Sequence, residues 1–126
     1  MDERLTGAPL FDGMSDAERE TAAALFQPVR VLMGEQLTSE GDFGYSFFVV
    51  LAGRVKVDVG PDEPVELGPG DHFGEVSLVT GNRRNATVTA LEGCELAKIM
   101  TWDFPELMNQ HPALASRIQA SADERG

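Results

Sequence analysis

The chain is poor in the residues that carry most catalytic chemistry: it has one cysteine, Cys94, and two histidines, His72 and His111, in 126 residues. A single cysteine excludes an internal disulfide and any multi-thiolate metal site. Two histidines, one of them in the C-terminal tail, are too few for the clustered ligands of a cupin-like metal centre. No serine or cysteine has a histidine base and an orienting acid near it in pattern, so neither a metal nor an enzymatic activity is expected. Positive charge is also scarce, with 10 Lys and Arg against 21 Asp and Glu and a net charge of −11. Nucleic-acid affinity rests on cations that neutralise phosphates, and this balance argues against DNA or RNA as a partner of this chain. A small anion remains possible where an arginine and backbone N–H groups converge on it. No apolar run approaches the roughly 18 residues of a membrane helix, and the opening Met1-Asp2-Glu3-Arg4 lacks the order of a secretory signal. A cytoplasmic protein without membrane insertion is expected.

What is present is an ordinary globular composition, 42% apolar and 25% charged, at a length that suits one domain over residues 1–126. Ser15-Asp16-Ala17-Glu18 has capping-box spacing and predicts a helix over about 16–26. From Val29 to Met100 the texture is one of short β-rich runs separated by glycine: Val29 to Met33, Ser46 to Leu51, Arg54 to Val59, Pro64 to Leu67, Ala86 to Ala90 and Cys94 to Met100. That spacing predicts an all-β sandwich or barrel. In Arg54 to Val59 strict alternation places three valines on one face and three charges on the other. After Met100 helical character returns, with helices over about 103–108 and 112–123 and Pro112 at a first helical position. The last few residues read as a frayed end. The predicted class is mainly β, a roll with an N-terminal helix, a short helix inserted in the β structure, and two C-terminal helices.

The inserted helix lies in Phe73-Gly74-Glu75-Val76-Ser77-Leu78-Val79-Thr80-Gly81-Asn82-Arg83-Arg84-Asn85-Ala86-Thr87-Val88. Glu75 to Val79 suits about one helical turn, whose free N–H groups and dipole would face whatever lies at Gly74. Ten residues on, Arg84 can return a guanidinium suited to bidentate contact with phosphate to the same place. Small Ala86 and Thr87 would permit close approach of a ligand. In isolation Glu75 is equally a dipole partner of its helix, and Arg84 a solvated turn residue.

These segments resemble the cyclic nucleotide-binding domain family, shared by catabolite-activator regulators, kinase regulatory subunits and gated channels. The resemblance runs through Leu10-Phe11, Glu40-Gly41-Asp42, Phe47 to Gly53, Leu67-Gly68-Pro69-Gly70-Asp71-His72-Phe73-Gly74-Glu75, and Phe104, Leu107 and His111-Pro112. It implies a β-roll over 29–100 with a phosphate-binding cassette over 74–87. In that cassette Gly74 is a backbone donor, Glu75 accepts from the ribose 2′-hydroxyl, Arg84 binds the phosphate, and Val76, Ser77, Asn85 and Ala86 complete the site. Two positions depart from the family pattern: Arg83, where many members have proline, and Asn85, where alanine, serine or threonine is common.

The implied function is a regulatory module that senses cAMP in preference to cGMP, since the threonine that often accompanies cGMP selectivity would fall at Asn85. The implied effector is a separate protein or a covalently linked domain. A C-terminal helix commonly closes over the base, and Leu114, Ala115 and Ile118 share the face expected to do so. Removal of Arg84 is expected to weaken ligand binding while barely touching the fold. The competing reading keeps the fold and gives it a ligand-independent role, as an interaction or homodimerisation module that docks a partner or a second copy on its C-terminal face.

Overall fold

The computed structural model describes residues 2–126. A short helix α1 (Glu3–Thr6), a 3₁₀ turn (Pro9–Phe11) and helix α2 (Asp16–Ala23) precede strands β1 (Gln27–Val31), β2 (Gln36–Thr38), β3 (Ser46–Ala52), β4 (Val55–Asp58), β5 (Val65–Leu67) and β6 (His72–Phe73). Helix α3 (Glu75–Thr80) follows, then β7 (Thr87–Ala90), β8 (Cys94–Met100), α4 (Phe104–Gln110) and α5 (Pro112–Arg125). The strands form two antiparallel four-stranded sheets, in the orders β1-β8-β3-β6 and β2-β7-β4-β5. This is the mainly β roll that the sequence predicts.

The non-alternating run Phe47-Phe48-Val49-Val50-Leu51 forms the centre of the structure because β3 is covered on both faces. Phe47, Val49 and Leu51 face the helices, where they join Phe11, Phe26, Ile99, Phe104, Leu107, Leu114 and Ile118. Phe48 and Val50 face the second sheet and pack with Val31, Val55, Phe73, Val88 and Leu96. A strand buried on both sides has no polar face to alternate with, which is why its sequence reads as continuous hydrophobe.

The predicted boundaries shift where tertiary contacts override local pattern. The capping box is present, with Ser15 Oγ accepting from Glu18 N and Glu18 Oε1 from Ser15 N, but α2 stops at Ala23 rather than 26. Its last turn tightens through Leu25 N to Ala22 O and Phe26 N to Ala23 O, and Pro28 biases Gln27 toward the extended conformation that starts β1. The first strand is therefore 27–31 and not 29–33, since Leu32 and Met33 lie in an exposed turn. β2 and β6 escape a reading by pattern: one is polar, and the other is two residues long and defined by pairing Phe48 with Phe73 and Val49 with His72. The C-terminal helices run 104–110 and 112–125, beyond the predicted ends at 108 and 123, and the final turn is held in place rather than frayed.

The face shared by Leu114 and Ile118 exists, and it is turned into the core rather than toward an open site. Both side chains are fully buried in the helical core, with Leu78 and Val79 of α3 packed at its edge. The apolar stripe goes to the space between α3, α4 and the 3₁₀ turn at Pro9–Phe11. Ile118→Ala is accordingly expected to cost about 2–4 kcal/mol in urea unfolding through the cavity it leaves. Trp102→Ala, at a site 68% exposed, should stay within about 0.5 kcal/mol of wild type.

Candidate functional site

Between the second sheet and α3 lies a cleft of about 320 Å³, within the range of small-molecule sites. Its wall is mostly apolar, from Val57, Val59, Val65, Leu67, Phe73, Val76 and Val88. Gly74, Glu75, Val76, Ser77, Arg84, Asn85 and Ala86 all line it, so the residues singled out from the sequence converge on one place. The valine face of the Arg54–Val59 run divides in two. Val55 enters the core between the sheets, while Val57 and Val59 line the cleft.

Arg84 is buried, 7% exposed, and the chain folds around it. Its backbone is tied to the β2–β3 loop, with its N–H donating to Asp42 O at 2.6 Å and its carbonyl accepting from Gly41 N at 2.9 Å. That pairing gives Glu40-Gly41-Asp42 a physical role. The guanidinium donates from Nη1 to Gly74 O at 2.9 Å and from Nη2 to Ser46 O at 2.7 Å. Five N–H groups belong to an arginine side chain, so three remain once these two bonds are made. Burial pushes the Arg84 pKa down from its ordinary value, and the nearby Glu75 charge opposes that shift.

Two glycines make room for this arrangement. A Cβ on Gly74 would stand 3.0 Å from Arg84 Nη1 and 3.0 Å from Ser46 O, and its φ of 95° already favours glycine. A Cβ on Gly44 would lie 2.6 Å from Ser77 Cβ and 3.0 Å from Arg84 Cζ. Sequence reading found Gly74 but not Gly44, because the space at Gly44 is defined by residues 33 and 40 positions away in the chain.

Glu75 is fully buried, and its two carboxylate oxygens differ. Oε1 accepts from Ser121 Oγ at 2.7 Å and from Arg125 Nη1 at 2.9 Å. Oε2 is buried without a partner. Arg125 also donates to His72 O at 2.6 Å, and Asn85 Nδ2 donates to Arg125 O at 2.8 Å. The Asn85 amide thus holds the C-terminal end of α5. His72 Nε2 lies 2.9 Å from Ser121 Oγ. Burial holds the His72 pKa below its ordinary value; the Arg125 charge adds to this, and Glu75 and Asp71 oppose it. Ser121 and Arg125 carried no signal in the sequence, since α5 reads as an amphipathic helix and nothing local says that its last turn meets Glu75.

The cleft thus gathers a buried cation, Arg84, and a buried carboxylate, Glu75, one oxygen of which has no partner. The model of the cyclic nucleotide-binding domain matches residues 28–111, more than half of the chain and most of this cleft. The chain belongs to the cyclic nucleotide-binding domain family. A cyclic nucleotide-gated potassium channel of Rhizobium etli is 35% identical over 121 residues, covering 96% of this chain and 34% of the channel. The cyclic AMP receptor protein of Thermus thermophilus is 31% identical over 121 residues, covering 92% of this chain and 56% of that protein. The crystal structure of the Thermus thermophilus catabolite activator protein superposes with a TM-score of 0.83 at 29% identity, over 94% of this chain and 58% of the other. The cyclic nucleotide-binding domain described here therefore spans between about a third and just over half of these relatives.

Arg84 supports the fold of the domain, contrary to the sequence expectation that its removal barely touches the fold. Its guanidinium joins the start of the cassette to β3, and its removal takes a donor from Gly74 O and from Ser46 O. Without nucleotide, Arg84→Ala is expected to lose about 1–3 kcal/mol of stability, read as a lower urea midpoint with an unchanged slope. A midpoint equal to wild type would mean that the fold does not depend on Arg84.

Proposed function

We propose that this domain binds a cyclic nucleotide in the cleft, cAMP in preference to cGMP, and that binding biases the position of its C-terminal helices. The observation that carries the reading is the orphan Oε2 of Glu75, a fully buried acceptor beside the cleft whose partner is missing. A buried polar atom without a partner is costly, and a ribose 2′-hydroxyl would satisfy it. The remaining N–H groups of Arg84 suit the cyclic phosphate. Gly74 caps α3 without a side chain, which leaves the backbone N–H groups of the first turn, from Gly74 to Ser77, free for the same phosphate. The apolar wall of Val57, Val59, Val65 and Leu67 suits a purine.

Selectivity for adenine is favoured by two facts. A Thermus thermophilus relative carries the name of a cyclic AMP receptor, and the Asn85 amide, at the position where threonine accompanies cGMP preference, donates to Arg125 O. Coupling to the C-terminal helices follows from the same bonds. Glu75 and Asn85 both hold the last turn of α5, so a ligand that engages the cassette has different affinity for docked and undocked forms of that turn. The effector would be a linked domain or a separate protein, and binding would be the whole activity of this chain.

Isothermal titration of the full chain tests the reading. Saturable binding of cAMP, tighter than that of cGMP, is expected, and Arg84→Ala should weaken it by about 2–4 kcal/mol. Arg83→Ala should cost much less, because that side chain lies over the Phe43 ring at 4.6 Å, outside the cleft. A flat titration at millimolar nucleotide would replace ligand sensing with the interaction-module reading.

A further inference from the structure

The carboxylate of Glu75 has one oxygen to offer a ligand, and what selects that oxygen lies outside the cassette. The terminal torsion of a glutamate is broad and roughly two-fold, so the side chain alone does not decide which way its oxygens point. Ser121 Oγ spends its single hydrogen on Glu75 Oε1 at 2.7 Å. Its contact with His72 Nε2 at 2.9 Å must then be a bond donated by the imidazole. His72 is itself fixed, by strand pairing with Val49 and by its ring lying 5.6 Å from that of Phe47. A chain of two hydrogen bonds therefore runs from β6 through α5 to the cassette carboxylate. Neither His72 nor Ser121 lines the cleft. The second donor to Oε1, Arg125, is on the terminal turn of α5 and 37% exposed, and it divides its Nη1 between Glu75 and His72 O.

We propose that Ser121, set in place by His72, is a positioning residue for ribose recognition: it pins Glu75 through Oε1 so that Oε2 alone is presented to the sugar hydroxyl. The inference rests on the cyclic-nucleotide reading of the cleft. Its consequence is that discrimination for the 2′-hydroxyl depends on the last turns of α5 being docked, since Ser121 leaves the carboxylate when they leave. A ligand that lacks that hydroxyl loses this dependence.

The test is a comparison of cAMP with 2′-deoxy-cAMP on the full chain, by calorimetry, for wild type, Ser121→Ala and Ser121→Thr, with thermal melts alongside. Wild type should prefer cAMP by about tenfold, the worth of one hydrogen bond to a charged acceptor. Ser121→Ala should lower that preference about three- to fivefold while leaving 2′-deoxy-cAMP affinity within about twofold, and Ser121→Thr, which keeps the hydroxyl, should restore it. Equal weakening of both ligands would mean that Ser121 only supports the packing of α5 and would overturn the inference, as would an unchanged preference; in both cases the reading of the cleft stands. Wild type that binds neither nucleotide would remove both. If melts show Ser121→Ala to be unfolded, His72→Phe decides: it keeps a ring against Phe47 and loses the donor, and it should reduce the preference in the same direction.

Discussion

β3 is buried on both faces, and the two halves of the molecule meet on it. Its odd-numbered side chains, Phe47, Val49 and Leu51, belong to the helical core, and its even-numbered ones, Phe48 and Val50, to the space between the sheets. Its first residue supplies the carbonyl of Ser46 that receives the Arg84 guanidinium. Its other edge pairs with β6 and so sets His72 and Phe73 immediately before Gly74. One strand thus fixes both ends of the segment that forms the cleft. With apolar contact on each side it has no face that tolerates a shift of register, because a one-residue slip would exchange the two cores.

The site answers a problem posed by the composition. A chain with net charge −11 repels an anion at long range, and the attraction must therefore be local and desolvated. Arg84 is the buried cation of the cleft, and its field there is less screened than at the surface. Burying a guanidinium is costly without partners, and the carbonyls of Gly74 and Ser46 provide them while leaving N–H groups unused. Glu75 is treated in the same way, one oxygen holding two donors and the other left without a partner. The two charged groups are not paired with each other: Arg84 is held by two carbonyls, and Glu75 by Ser121 and by Arg125 from the end of α5.

The C-terminal helix joins this site in an unequal manner. Its apolar stripe, Leu114, Ile118 and Ala122, is committed to packing, while its last polar residues reach the cassette. The stripe anchors α5 by burial, and the final turn is held by hydrogen bonds and one ion pair to the cleft residue Glu75. Parts held by a few polar contacts move more readily than parts held by a core. A division of this kind lets the end of a helix move while its body stays in place.

How much of this could be read without the fold follows from the range of the forces involved. Alternation, capping, the punctuation by glycine and the single helical turn at Glu75 are local, and from them came the mainly β class, the helix at Ser15 and the convergence of Glu75 and Arg84. Family resemblance extended this to the roles of those residues. Boundaries moved where a neighbour decided them, as at Gln27 and Leu32, and β2 and β6 were invisible because two or three residues acquire strand character only from a partner. The destination of Leu114 and Ile118 was misjudged for the same reason: periodicity tells which residues share a face, but the apolar surface opposite that face is made by Phe11, Phe104 and Leu78 from distant parts of the chain. By itself the sequence determined the class of fold and the chemical types in the cassette, since propensity and spacing act over a few residues. Only the tertiary structure decided that Arg84 holds the fold together, that Gly44 makes room for it, and that Ser121 and Arg125 hold one oxygen of Glu75, because hydrogen bonds across 38 to 50 residues depend on the completed packing of helix on sheet.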